Sequence, residues 1–188
     1  MRRCWLVSMW LLFFLSFEVR ASEVLSPEFI DGMSYELNGR AAMYAITANM
    51  AARFGRGPKH VYWSAYHRLE SFSRPRYRAF AERFGIQLPG KTWISIKSKA
   101  LSGLPVIMLP SIFSDLRKRT IVYVDKLRAL SEIGPAEESD FLDYMVRQEL
   151  LQVKLMDLLL RNEYLAAEEL VADFIARESL VGELIPKR

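Results

Sequence analysis

The stretch DFLDYMVRQELLQVKLMDLLLR, running from Asp140 to Arg161, decides the fold class. At about 100° per residue, Asp143, Arg147, Lys154, Asp157 and Arg161 fall within about 40° of one line, while Leu142, Met145 and Met156 lie away from it. A charged stripe set against an apolar one at this period is an amphipathic helix packed on a core. Against the charged line Gln152 projects at about 180°, Gln148 at about 140° and Glu149 at about −120°. Gln152 therefore points at the core and Glu149 sits at its margin. A buried amide or carboxylate needs partners or a metal, because leaving it unpaired costs a few kcal/mol.

Outward from this helix the same grammar repeats. Gly and Pro cluster at Gly55-Arg56-Gly57-Pro58, Pro89-Gly90, Gly103-Leu104-Pro105, Pro110 and Gly134-Pro135. The segments between them are rich in the helix formers Ala, Leu, Met, Glu and Arg. A first helix is expected over Pro27–Arg53, with Ser26 as cap and Pro27 at its first position. A second covers Lys59–Phe72, and Pro75 either kinks it or starts a new helix ending near Phe84, with Gly85 as the stop. A third covers Ser111–Ser131 and a fourth runs from Pro135 to Leu160. Asn162-Glu163 introduces a last helix to Glu178. Thr92–Ile96 and Ile121–Val124 are the only β-branched runs. The expectation is an all-α, up-and-down helical bundle with an additional C-terminal helix.

Before the first helix stands a leader. Arg2 and Arg3 precede an apolar run from Cys4 to Phe17 and a short polar stretch, and Val19 and Ala21 match the small-residue pattern of a signal-peptidase site. The run is shorter than the roughly 20 residues of a spanning helix. The reading is a bacterial-type signal peptide, residues 1–21, cut before Ser22, followed by a single helical domain over 22–188. The protein is then exported, periplasmic or secreted; the alternative is an inner-membrane anchor through residues 4–17. The only cysteine, Cys4, leaves with the leader, so the mature chain has no internal disulfide and no thiolate metal site.

The full chain carries 26 Lys and Arg against 22 Asp and Glu. Removing the leader leaves a net charge of +2, a balance that argues against nucleic acid as a partner. The charge is unevenly spread: Arg53 to Lys99 has eleven basic residues against Glu70 and Glu82, whereas Glu132 to Glu178 has twelve acidic residues against four basic ones. Either the two halves are neighbours with weakly attracting faces, or the basic half meets anionic lipid or an acidic protein partner. The apolar segment Leu101–Phe113 is too short and too Pro-rich to span a bilayer. It is expected as a buried crossover, or else as a segment that dips into a membrane face or docks a partner.

Gly85-Ile86-Gln87-Leu88-Pro89-Gly90-Lys91-Thr92 fits G-x-x-x-x-G-K-[ST], and Ile121–Asp125 resembles the strand that ends in a magnesium-binding Asp. A phosphate loop must follow a buried strand and open a helix. Tyr77–Phe84, in front of the motif, carries three charges and reads as helix, and no further βα units follow Asp125. A nucleotide-binding P-loop is therefore a minor alternative.

Glu36 shares a heptad-spaced stripe with Met43 and Met50. Glu70 lies on a stripe with Trp63, Tyr66 and Tyr77, and His67 is nearly one turn before it. Glu36, His67-x-x-Glu70 and Glu149-x-x-Gln152 on three successive helices resemble a degenerate ferritin-like bundle, over roughly Pro27 to Leu160. That resemblance implies inward carboxylates holding iron or another divalent metal, with Glu36, His67, Glu70 and Glu149 as the ligands. The second-helix pair is reversed relative to the family pattern, and Gln152 stands where a histidine is expected. From the residues alone, Glu36, His67, Glu70, Tyr123, Glu149 and Gln152 read as a buried polar network. With two histidines in the chain, Ser-His-Asp catalysis has little support. The reading is a binding or interaction protein of the bacterial envelope, without catalytic residues or a cofactor, whose partner is an unknown protein or a membrane surface. A metal-binding bundle is the alternative.

Overall fold

The structure is a computed structural model that describes residues 25–88, 90, 94, 98–99 and 102–184. Among these residues are five α-helices and no strand: α1 (Pro27–Phe54), α2 (Pro58–Phe84), α3 (Leu109–Glu132), α4 (Ser139–Leu160) and α5 (Ala166–Leu184). The all-α bundle expected from the sequence is present. The leader and the cut before Ser22 lie outside the described residues, as do Lys91 and Thr92. No described helix is long and apolar enough to cross a membrane.

The helix ends follow local chemistry. Ser26 Oγ accepts from the Phe29 amide at 3.1 Å and caps α1, with Pro27 behind it. Gly85, at φ +67°, ends α2 in the left-handed conformation that a side chain disfavours. Pro75 does not divide α2. The helix continues through it because Leu69, Ser73, Tyr77 and Phe80 bury one face on both sides of the proline, and that packing outweighs the missing amide. Ile121–Val124, β-branched as it is, lies inside α3 for the same reason: Thr120, Val124 and Leu127 are its buried face.

The chain forms two helical hairpins. Helix α1 packs along α2 and α3 along α4, while α5 lies mainly on α2 with a smaller contact to α4. The core joins Trp63 to Phe113 at 5.4 Å and stacks Phe80 on Phe141 at 4.7 Å. Basic α2 faces acidic neighbours, Arg83 meeting Glu137 and Glu138, and Arg68 meeting Glu168. Such exposed pairs contribute about 1 kcal/mol or less each. The segment before α3 is only partly the buried crossover expected. Leu104 packs against the core, but Val106–Met108 form an exposed 3-10 turn ahead of buried Leu109 and Phe113. The turn's outward projection, set by Pro105 and the start of α3, is what sequence alone did not show.

Candidate functional site

Glu36 and Arg40 stand one turn apart on α1, so they share a face. That face turns inward where α2 brings Glu70 and Tyr77, α3 brings Tyr123, and α4 brings Glu149 and Gln152. The three carboxylates close on one guanidinium. Arg40 Nε lies 3.1 Å from Glu36 Oε1, Nη1 3.2 Å from Glu70 Oε1, and Nη2 2.9 Å from Glu149 Oε2. Only the contact to Glu70 has hydrogen-bond alignment; the other two are ion pairs whose N–H groups point off the oxygen. Glu36, Glu70 and Glu149 are 1 %, 2 % and 4 % exposed, so the whole charged group belongs to the core.

The partners are unequal. Glu36 accepts from Tyr77 at 3.0 Å and from Tyr123 at 2.8 Å. Tyr66 donates to Gln152 Oε1 at 2.7 Å, which sets the orientation of that amide and leaves its buried Nε2 with no acceptor. Glu149 Oε2 has no aligned donor. Gln148, also fully buried, has no partner for either amide atom.

Three carboxylates share one positive charge here, and burial disfavours every charged form. Burial pushes the Glu70 carboxyl up to about 7; Arg40 opposes the shift and Glu36 adds to it. Glu149 rises to about 7 for the same reasons, with Glu70 as a further contributor. Burial also works against the charge on Arg40, but its three carboxylates outweigh that and hold it protonated. Burial, reinforced by the neighbouring carboxylates, raises Tyr66, Tyr77 and Tyr123, which therefore stay neutral donors. A carboxyl that titrates near neutrality can exchange a proton, or exchange that proton for a cationic ligand.

Two clefts reach this cluster. One, of roughly 940 Å³, opens between α1 and α3. Glu36, Arg40, Glu149 and Gln152 form its polar floor, Met43 and Met156 its apolar wall, and Lys118 and Lys126 its rim. The other, of roughly 620 Å³, lies between α1 and α2, where Arg40, Glu70 and Tyr77 meet it from behind.

Of the residues proposed from sequence, Glu36, Glu70, Tyr123, Glu149 and Gln152 do come together. His67 does not join them. Its Nδ1 is 3.2 Å from Thr47 Oγ1 and its ring lies on Tyr44 at 4.7 Å. The donor set does not fit the metal centre that a ferritin-like resemblance implies. A guanidinium stands between the carboxylates, Gln152 Oε1 is engaged by Tyr66, and among the described residues no three His, Cys, Asp or Glu are grouped to hold a metal ion. The positive charge comes from Arg40.

Sequence reasoning passed over Arg40, Tyr66 and Tyr77 as members of the network. The signal for Arg40 was present: it falls between Glu36 and Met43 on their shared stripe, a position for a buried side chain. The phosphate-loop pattern finds no support in the residues before it, since Tyr77–Phe84 is the last part of α2, and Asp125 is exposed and paired with Arg128 at 2.8 Å.

In comparisons with known proteins, no family model matches the chain, and no curated protein or solved structure does.

Proposed function

We propose that this is a non-catalytic binding protein of the cell envelope that takes a small zwitterion into the α1–α3 cleft, ammonium end inward. The observation that carries the reading is a mismatch at the floor of the cleft. Gln152 Nε2 is buried there with no acceptor, and Glu149 Oε2 has only its misaligned ion pair with Arg40 Nη2 at 2.9 Å, beside carboxylates that outnumber the one guanidinium. An unmet buried donor, and a carboxylate short of aligned donors, are costly until something pairs with them. An ammonium group would satisfy Glu149 and add the missing positive charge, and an adjacent carbonyl or hydroxyl would accept from Gln152. Lys118 and Lys126 at the rim suit an anionic far end, such as a carboxylate. The apolar walls with few convergent polar groups have the usual make-up of a small-molecule site. The signal-like leader supports placement in the envelope.

The test is a thermal-shift and calorimetric screen of the twenty free amino acids, with butylamine and butyrate as controls. At least one zwitterion is expected to raise the melting temperature by several degrees at saturating concentration, and more than either control. Glu149→Gln, which keeps the shape and removes the charge, should abolish that shift. If no zwitterion stabilises the protein, or if Glu149→Gln is stabilised equally, the reading fails.

A further inference from the structure

Independently of the cleft, one end of the bundle has the character of a membrane-docking surface. Val106, Ile107 and Met108 form a single 3-10 turn at the start of α3, closed by the Met108 amide on the Pro105 carbonyl at 3.0 Å. Ile107 is 88 % exposed, with Val106 at 40 % and Met108 at 46 % beside it. This is not a frayed end. Arg53 holds the chain just before it, donating to the Ser102 carbonyl at 2.7 Å and the Leu104 carbonyl at 2.6 Å. Buried Leu109 and Phe113 anchor the chain just after it. The fold thus presents three consecutive apolar side chains outward on a braced turn.

The surroundings select the occupant. The α1–α2 turn and the α4–α5 connection lie at the same end, since Lys59 sits over the rings of both Phe54 and Tyr164 at 5.6 Å and 5.9 Å. Leu165, next to Tyr164, adds a fourth exposed apolar side chain, 63 % accessible. Arg53, Arg56 and Lys59, on and beside the α1–α2 turn, place positive charge at this tip. Of the acids beside Leu165, Glu163 is held bidentately by Arg161 at 2.9 Å and 3.1 Å, Glu168 pairs with Arg68 at 3.9 Å, and Glu169 is exposed on the first turn of α5. Protruding aliphatic side chains flanked by Lys and Arg match the layered chemistry of an anionic leaflet, with acyl chains beneath phosphate headgroups. A protein groove would need a concave apolar partner and gains nothing from the basic residues unless it is also acidic.

We propose that this end docks on an anionic lipid bilayer, with Ile107 entering the headgroup–acyl boundary and the basic residues contacting lipid phosphates. The test is co-sedimentation of the full chain with vesicles of phosphatidylcholine alone and of phosphatidylcholine mixed with phosphatidylglycerol. Binding should favour the anionic vesicles and weaken as salt is raised. Ile107→Asp should lower the anionic-vesicle affinity by roughly tenfold or more. Arg56→Glu, at an exposed loop position, should lower it by several-fold, on the order expected for charge reversal at a bilayer surface. Both variants should keep the wild-type circular dichroism spectrum, because neither side chain is part of the core. Comparison within one chain cancels any membrane affinity common to all of them. Equal binding by the wild type and Ile107→Asp would overturn the proposal. So would a lack of preference for phosphatidylglycerol, or an interaction with a protein that requires Ile107 while vesicles do not bind.

Discussion

Arg40 is the residue on which the interior of this protein turns. A guanidinium taken out of water is tolerated here because three carboxylates surround it, and they in turn are tolerated because it is there. Removing the partner of a buried charge is far more damaging than never having had the charge. Arg40→Met, which keeps most of the volume, is therefore expected to lower stability by about 3–5 kcal/mol in urea denaturation. The loss is electrostatic, so adding Glu36→Gln, Glu70→Gln and Glu149→Gln in the Arg40→Met background should recover at least half of it. A loss unaffected by those changes would mean that packing, not charge, set the cost.

At the scale of elements, the two hairpins depend on close joints that composition does not reveal. The α3–α4 connection passes so near the core that a Cβ on Gly134 would meet Phe29 Cε2 at 2.8 Å, besides colliding with Leu142. Phe29 and Leu142 are both buried, so neither can swing away. Gly134→Ala is expected to destabilise by about 1–3 kcal/mol as an overpacking change, measured by the same denaturation. Helix existence and order were legible in the sequence because apolar spacing, Ser26, Gly85 and the Pro-Gly breakers act locally. The unbroken course of α2 through Pro75 was not, since the burial that sustains it comes from other helices.

For the molecule as a whole, the paired carboxylates couple stability to pH. The ordinary glutamate value is 4.5, and both Glu70 and Glu149 are raised to about 7 by burial. Between those values the folded protein binds more protons than the unfolded chain. The stabilisation is complete below the lower value and is lost as pH rises through the upper one, at up to about 1.4 kcal/mol per pH unit for each group. Melting temperature should therefore fall between about pH 5 and about pH 8, and the Glu70→Gln, Glu149→Gln double variant should have the flatter profile. A wild-type profile no steeper than that of the variant would contradict the assignment of these groups. A zwitterion whose ammonium replaces those protons should bind more tightly as pH rises through this range.

The sequence by itself determined that the chain is helical, the order of its helices away from Pro75, and most of their buried faces, because those follow from periodicity and from turn chemistry within a few residues. It also marked Glu36, Glu70, Glu149 and Gln152 as polar groups on buried faces, since a stripe calculation needs only one helix at a time. What these groups meet depends on how four helices pack, and that is not written in any single stripe. The resemblance to a metal-binding bundle expected an ion among the carboxylates; tertiary packing puts the Arg40 guanidinium there and turns His67 toward Thr47. The same packing decided that Ile107 projects outward from a braced turn rather than into the core, because only the surrounding helices determine which way a short apolar segment faces.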